Sequence, residues 1–447
     1  PPPPLMSPPP SSPWTSVPLP PPDPILSISD RFRLDPSPAK LNLGVGAYRT
    51  SAGKPFVLPA VHAAAAELLA DPDANHEYLP IDGLKPFTDA ARTLVFGSPA
   101  AEQNDIVSVQ ALSGTGALRV AAEFLAAYYR TPAGGDAPAA VLIPDPTWPN
   151  HHAVFQAAGF AARVKYPYFS RDSNAVDFTA MTAALEAAEH GAVLVLHACA
   201  HNPTGADLTG AQWAAVREIA GRKRFAVMFD SAYQGFASGD LERDAKPVRD
   251  MVAMAAGERP AVILVAQSFA KNMGMYGERV GALHVVMPAC GVSDAERNAV
   301  RGQLKGVIRR MYSSPPRFGA EVAARVMNDP KRMAAWKEEL KGMADRIADV
   351  RVRLHDALVA NGCPGTWEHV KEQIGMFSYT GLTEKQVEYL TETHHVYLTL
   401  DGRISLAGLS EDNVVRFADA VKDAVVSRPK GFRAIASVGA PDIHPRM

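Results

Sequence analysis

Four apolar runs, near residues 140–144, 192–197, 225–229 and 261–267, do most to limit the folds open to this chain. Ala192-Val193-Leu194-Val195-Leu196 and Phe225-Ala226-Val227-Met228-Phe229 have no polar face, so they read as strands covered on both sides. Stretches with helical apolar spacing lie near 116–130, 209–221 and 246–256. Such alternation implies an α/β fold, with a mostly parallel sheet flanked by helices on both faces. Longer helices are expected over 293–312 and 317–347. After Gly362-Cys363-Pro364-Gly365 a second strand and helix series begins, and a smaller α/β domain is placed from about 343 onward.

A chain of 447 residues with 47% hydrophobic content can bury a sizeable core, enough for two domains. Its formal net charge of -2 supplies no basic field for nucleic acid, and no apolar run approaches the roughly 20 residues of a spanning helix. Neither nucleic acid nor membrane is expected as a partner. Cys199, Cys290 and Cys363 are far apart and form no Cys-x-x-Cys pair, so they read as small buried hydrophobes in a reducing compartment rather than a disulfide framework or metal site. About half of the first two dozen residues are proline, which precludes a helix or internal strand and leaves an extended or disordered arm. Neither a secretory signal nor an arginine-rich transit pattern is seen, and a cytoplasmic location is expected. Because the sequence starts at Pro1, an organellar location stays open.

Polar residues follow the apolar runs closely. Lys271, in Ser268-Phe269-Ala270-Lys271-Asn272, emerges at the end of the run Ala261-Val262-Ile263-Leu264-Val265-Ala266. Strand ends are where ligands bind in open α/β sheets, and a buried lysine loses its charge readily and can form a Schiff base with an aldehyde. Asp230 ends another run, where a carboxylate is costly unless it is paired, although it could also cap a helix. His201-Asn202-Pro203-Thr204-Gly205 is turn chemistry. Leu112-Ser113-Gly114-Thr115-Gly116 precedes an apolar helix, and its exposed backbone N–H groups suit a phosphate.

Taken together these segments resemble the aspartate aminotransferase family, the fold type I enzymes that use pyridoxal 5'-phosphate. The resemblance is carried by Gly44-Val45-Gly46-Ala47-Tyr48-Arg49, His76-Glu77-Tyr78-Leu79-Pro80, Ser113-Gly114-Thr115-Gly116, Pro146-Thr147-Trp148-Pro149-Asn150-His151, His201 to Gly205, Asp230-Ser231-Ala232-Tyr233-Gln234-Gly235, Lys271 through Arg279, and Gly375-Met376-Phe377-Ser378. These occur in family order from about residue 20 to about residue 428. The resemblance implies that the small domain is discontinuous, so the chain is expected to divide into a large cofactor-binding domain over 56–342 and a small domain from 31–55 and 343–429, with the proline-rich arm over 1–30 ahead of them and a tail over 430–447 outside the family pattern.

It also implies a role for each matching residue. Lys271 would hold pyridoxal phosphate covalently and, once displaced, carry the proton of the transamination. Asp230 would pair with the pyridine nitrogen, supported from behind by His151. Tyr233 and Asn202 would hydrogen-bond the phenolic oxygen, and Trp148 would stack on the ring. Ser113, Gly114, Thr115, Ser268 and Arg279 would bind the phosphate, joined by Tyr78 from a neighbouring subunit. Arg403, with Gly46, Asn202 and Trp148, would bind the substrate, its guanidinium gripping the α-carboxylate. Arg309 would cross from the partner to read a side-chain carboxylate, with Arg310 the alternative if the register of Ser313-Ser314-Pro315-Pro316 slips by one. The resemblance further implies a homodimer with composite sites, amino-acid and 2-oxo-acid substrates, and a cis Asn202-Pro203 bond.

Ala270, Gly277 and Ser314 depart from the family pattern. Ala270 stands where a serine commonly contributes one phosphate hydrogen bond, worth on the order of 1 kcal/mol. The reading is therefore of a pyridoxal-phosphate-dependent transfer of the amino group between L-aspartate and 2-oxoglutarate. Its rivals are a broad-specificity or aromatic aminotransferase and a catalytically silent scaffold whose proline-rich arm binds a partner.

Overall fold

The computed structural model describes residues 12, 14–19, 26–103, 105–131, 138–287 and 291–427. Most of the proline-rich arm, Cys290 and the expected tail lie outside the described residues.

A seven-stranded sheet forms the centre: β1 (Ile106–Leu112), β2 (Val141–Asp145), β3 (Arg163–Pro167), β4 (Val193–His197), β5 (Ala226–Ser231), β6 (Val262–Ser268) and β7 (Val280–Val286), in spatial order β1-β7-β6-β5-β4-β2-β3. From β6 across to β3 neighbouring strands are parallel, while β7 runs antiparallel to both β1 and β6. The four apolar runs are β2, β4, β5 and β6, four of the central strands. Alternation along them sorts side chains into two cores: Val193, Val195, Ala226 and Met228 face one side, whereas Leu194, Leu196, Val227 and Phe229 face the other. Helices α1 (Ser113–Tyr128), α2 (Gly210–Arg222) and α3 (Leu241–Val252) supply residues that close these cores.

The return strand β7 was not anticipated from sequence. It fits because Gly281 has no side chain: a Cβ there would stand 2.6 Å from Ser113 C and from Gln267 O. This contact presses β7 against the turn where α1 begins.

Beyond the sheet, α4 (Asp294–Tyr312) opens with a Ser293/Glu296 capping box. The single helix expected over 317–347 is two, α5 (Phe318–Asn328) and α6 (Pro330–Ala360). Asp329 caps α6 through the Arg332 N–H, and Pro330 has no N–H to continue α5. The Asp329-Pro330 pair was the signal for that break. Helix α6 passes through residue 343 unbroken, so the placed domain boundary falls inside it.

Leu41–Asn42 pairs in parallel with Val396–Tyr397, tying the segment that precedes the large sheet to one that follows it. Phe377–Tyr379 pairs antiparallel with Arg403–Ser405. Helix α7 (Glu411–Ser427) packs along α6 and closes a third core that also takes in Trp336, Leu340 and Phe377. Among the described residues no helix is long and apolar enough to cross a membrane.

Candidate active site

Strand order brings the C-terminal ends of β4, β5 and β6 side by side, so residues distant in sequence meet there. Asp230 lies near the end of β5 and is buried. His151 Nε2 donates to Asp230 Oδ2 at 3.1 Å, since an ionised carboxylate can only accept. His151 Nδ1 pairs with Thr147 Oγ1 at 2.7 Å, and Thr147 Oγ1 meets His197 Nε2 at 3.1 Å. A relay therefore runs from Asp230 through His151 and Thr147 to His197 at the end of β4. Burial alone would push the Asp230 carboxyl up. The His151 hydrogen bond and the charges of His151, His197 and Lys271 outweigh burial and hold it below the usual range.

Lys271 follows β6 and projects into the same region, its Nζ 5.5 Å from the centre of the Tyr233 ring. Its Nζ has no hydrogen-bond or ion-pair partner among the described residues. Burial pushes the ammonium below the ordinary lysine range; the Asp230 charge opposes this and Arg279 adds to it. Tyr233 is buried, and burial followed by the Asp230 charge drives its phenol well above the ordinary range, so it stays a protonated donor.

At the start of α1, Ser113 takes a left-handed backbone (φ 58°) and its N–H donates to Arg279 O at 3.0 Å. Ser113 Oγ and Ser268 Oγ are 2.9 Å apart. A Cβ on Gly114 would stand 3.2 Å from Ser268 Cβ and 4.0 Å from Asp230 Oδ1, so the glycine keeps this turn close to the Asp230 site. Arg279 is exposed and donates to Tyr276 O at 3.0 Å, while Thr115 is partly buried on the first turn of α1. Trp148 is half-buried with its ring edge-on to His151 at 5.4 Å.

Arg403 is 4% exposed. Its Nη2 donates to Gly44 O at 3.0 Å, its guanidinium carbon sits 4.5 Å over the Phe377 ring, and its Nε has no partner. Burial pushes the guanidinium below its usual range, with Asp401, Tyr233 and Tyr379 opposing. A Cβ on Gly46 would come within 3.1 Å of that same Phe377 ring. Asn202 is buried with Oδ1 unpartnered, and the Asn202-Pro203 bond is cis as expected. Asp145-Pro146 is also cis, which was not anticipated.

Tyr78 and Arg309 stand apart from this cluster. Tyr78 is 85% exposed, and the exposed Arg309 donates through Nη1 to Ser313 Oγ at 2.5 Å, with Arg310 exposed beside it. Their segments adjoin, because Arg317 Nε donates to Glu77 O at 3.0 Å. The sequence reading missed Thr147 and His197 as members of the relay; a histidine closing the aliphatic run of β4 was the available signal. Among the described residues no group of histidine, cysteine and carboxylate side chains could hold a metal ion.

The cluster offers a free buried amine, a buried carboxylate held ionised, a neutral phenol, a helix start lined with hydroxyls and a buried guanidinium. Such a set can hold an electrophilic anionic ligand and a carboxylate together and move a proton between them. The family description "aminotransferase class I and II" matches residues 38–421. Aspartate aminotransferase 1 of Medicago sativa is 50% identical over 91% of this chain and 93% of its own length. The solved aspartate aminotransferase from Saccharomyces cerevisiae cytoplasm superposes with a TM-score of 0.88 at 40% identity, covering 93% of this chain and 99% of that one. An aromatic-amino-acid aminotransferase from Burkholderia pseudomallei, covalently bound to pyridoxal phosphate, gives a TM-score of 0.85 at 40% identity, covering 92% and 99%.

Proposed function

The chain belongs to the class I and II aminotransferase family, and from that premise we infer that it is a pyridoxal-phosphate-dependent aspartate aminotransferase. It transfers the amino group reversibly between L-aspartate and 2-oxoglutarate, giving oxaloacetate and L-glutamate. The location expected from the yeast relative is cytoplasmic. The observation that carries the reading is the largely buried, unpartnered Lys271 amine beside an ionised Asp230 and a buried Arg403.

The residues present fit the cofactor. Lys271 Nζ and the buried Asn202 Oδ1 both lack partners, and the small residues at the start of α1 leave backbone N–H groups for an anion. Lys271 would hold the cofactor covalently, Asp230 would face its ring nitrogen, and Tyr233 and Asn202 its phenolic oxygen. Trp148 would stack on the ring. Ser113, Gly114, Thr115, Ser268 and Arg279 would hold its phosphate, with Tyr78 reaching in from a partner subunit. When bound, the cofactor supplies an aldehyde and an electron-withdrawing ring that accepts charge from the substrate Cα.

Around that ligand the side chains have separate tasks. Asp230, kept ionised by His151 and the relay behind it, stabilises positive charge opposite its carboxylate. Lys271, with its basicity lowered by burial, would accept the substrate Cα proton on Nζ and later release it. Arg403 grips the α-carboxylate and so fixes the Cα–H bond relative to Lys271 Nζ. Arg309, donated from a partner subunit, reads the side-chain carboxylate. This reading requires a homodimer and a chain divided into a large domain, 56–342, and a small one, 31–55 with 343–429. The parallel pairing of Leu41–Asn42 with Val396–Tyr397 supports the discontinuous small domain.

The similarity to the Burkholderia aromatic enzyme favours one second reading, a breadth that includes tyrosine and phenylalanine. Rates of purified holoenzyme with aspartate, tyrosine, phenylalanine and leucine against 2-oxoglutarate separate the two. Aspartate is expected to dominate; comparable kcat/KM for phenylalanine would replace the narrow reading with the broad one. A colourless protein that transfers no amino group would overturn both.

A further inference from the structure

Arg351 lies on α6, 3% exposed, and no carboxylate stands within ion-pair distance of it among the described residues. Its guanidinium instead donates to three backbone carbonyls: Nη1 to Val370 O at 2.8 Å, and Nη2 to Gly375 O at 2.8 Å and Phe377 O at 2.7 Å. An isolated buried cation is costly, and residues with alkyl side chains could fill the same volume without that cost. Burial holds its guanidinium down to about 9, with Asp207 the opposing charge.

The gripped segment touches the substrate-facing residues at two places. Phe377 presents its ring 4.5 Å beneath the Arg403 guanidinium carbon, and the same ring limits Gly46. Residues 374–377 also clasp the turn that carries Asn202. Ile374 N–H donates to Gly205 O at 2.7 Å, and a Cβ on Gly205, which has φ +69°, would meet Phe377 O at 2.6 Å. A Cβ on Gly375 would stand 2.4 Å from Ala200 Cβ. Asp207 holds the other side of that turn, accepting from Ala200 N at 2.7 Å and His201 N at 2.8 Å. The far end of α6 is fastened next to Lys271, because Trp336 Nε1 donates to Asn272 O at 2.7 Å.

We propose that Arg351 is a positioning residue for the carboxylate subsite: by gripping the Gly375 and Phe377 carbonyls it sets the ring beneath Arg403 and the turn that presents Asn202. This rests on the reading of Arg403 as the α-carboxylate fork. A planar guanidinium can reach three carbonyls at fixed angles, whereas an ammonium keeps the charge and loses that fixed fork. Replacing Arg351 therefore loosens the orientation of bound carboxylates of every kind, because all engage Arg403.

The test uses purified holoenzyme of the native chain and of Arg351→Met, Arg351→Lys and Arg403→Ala. Calorimetry measures the affinity of succinate, an unreactive dicarboxylate, beside KM and kcat for aspartate and phenylalanine. Absorbance reports cofactor content, and thermal melting reports the fold. Arg351→Met is expected to weaken succinate and raise both KM values by a similar factor, about ten- to a hundredfold. Its kcat should fall less and its cofactor content should be retained. Arg351→Lys should recover part of the loss, and it serves as the reporter if Arg351→Met does not fold. A folded Arg351 variant with native succinate affinity and native KM values, alongside an Arg403→Ala variant that has lost succinate, would overturn the assignment of Arg351 alone. Native succinate affinity in Arg403→Ala would overturn the fork reading and this inference together.

Discussion

Arg403 is buried and Lys271 half-buried, and neither has a carboxylate at ion-pair distance, an arrangement that costs stability unless other groups or a ligand complete it. Lys271→Ala should fold, yet lose turnover by at least roughly 10⁴-fold, because holding the cofactor and moving the proton fall to one amine. Borohydride reduction of the native holoenzyme followed by peptide mapping should place the label on Lys271; a label on another lysine would refute the assignment. Arg309→Ala should lower kcat/KM for aspartate by some hundreds to thousands, corresponding to roughly 3–5 kcal/mol, and leave phenylalanine nearly unchanged. Arg403→Ala should penalise both substrates, since both carry an α-carboxylate. Selective loss of aspartate in Arg310→Ala instead would move the side-chain fork by one residue. These roles were legible as short motifs. The Asp230–His151–Thr147–His197 relay was legible only in part, because it joins residues as far as 79 positions apart.

At the scale of elements, the turn that follows Tyr233 is held by one buried carboxylate. Asp244 Oδ2 accepts from Gly235 N at 2.8 Å and Ser238 N at 3.2 Å, while burial pushes the carboxyl up to about 6 from the ordinary 3.8. Between those two values the folded chain binds more protons than the unfolded one, so this group's contribution to stability falls as pH rises through the window. Asp244→Asn keeps an acceptor oxygen for both N–H groups and cannot ionise. Relative to the native chain the variant should gain stability from pH 4 to pH 7, by up to about 3 kcal/mol, the equivalent of two pKa units. Denaturant midpoints of both proteins across that range check this, and a difference independent of pH would show that Asp244 does not titrate there. The helix break at Asp329-Pro330 had a local signal, whereas β7 did not. Its position between β1 and β6 depends on Gly281 fitting against Ser113, a contact between residues far apart in the chain.

For the whole molecule, the exposed Tyr78 and Arg309 lie on adjoining segments, with Met311 and Phe318 also exposed nearby in sequence. An isologous dimer would bring such a face against its own copy and give each site residues from both chains. Sedimentation at assay concentration should report a dimer, and a fully active monomer would end the composite-site reading. Co-expression of Lys271→Ala with Arg309→Ala sharpens the test. If Arg309 crosses between subunits, each mixed dimer has one site with Lys271 from one chain and Arg309 from the other, and about a quarter of native aspartate activity returns. If Arg309 serves its own subunit, none returns. The sequence by itself determined the parallel α/β core, the chemistry at strand ends and the amine, carboxylate and guanidinium of the site, because apolar periodicity and short motifs act over a few neighbouring residues. Only the tertiary structure decided where β7 inserts, that Thr147 and His197 extend the support of Asp230 behind His151, and that Arg351 grips the segment beneath Arg403. Those contacts depend on how distant backbones approach one another, which no local pattern encodes.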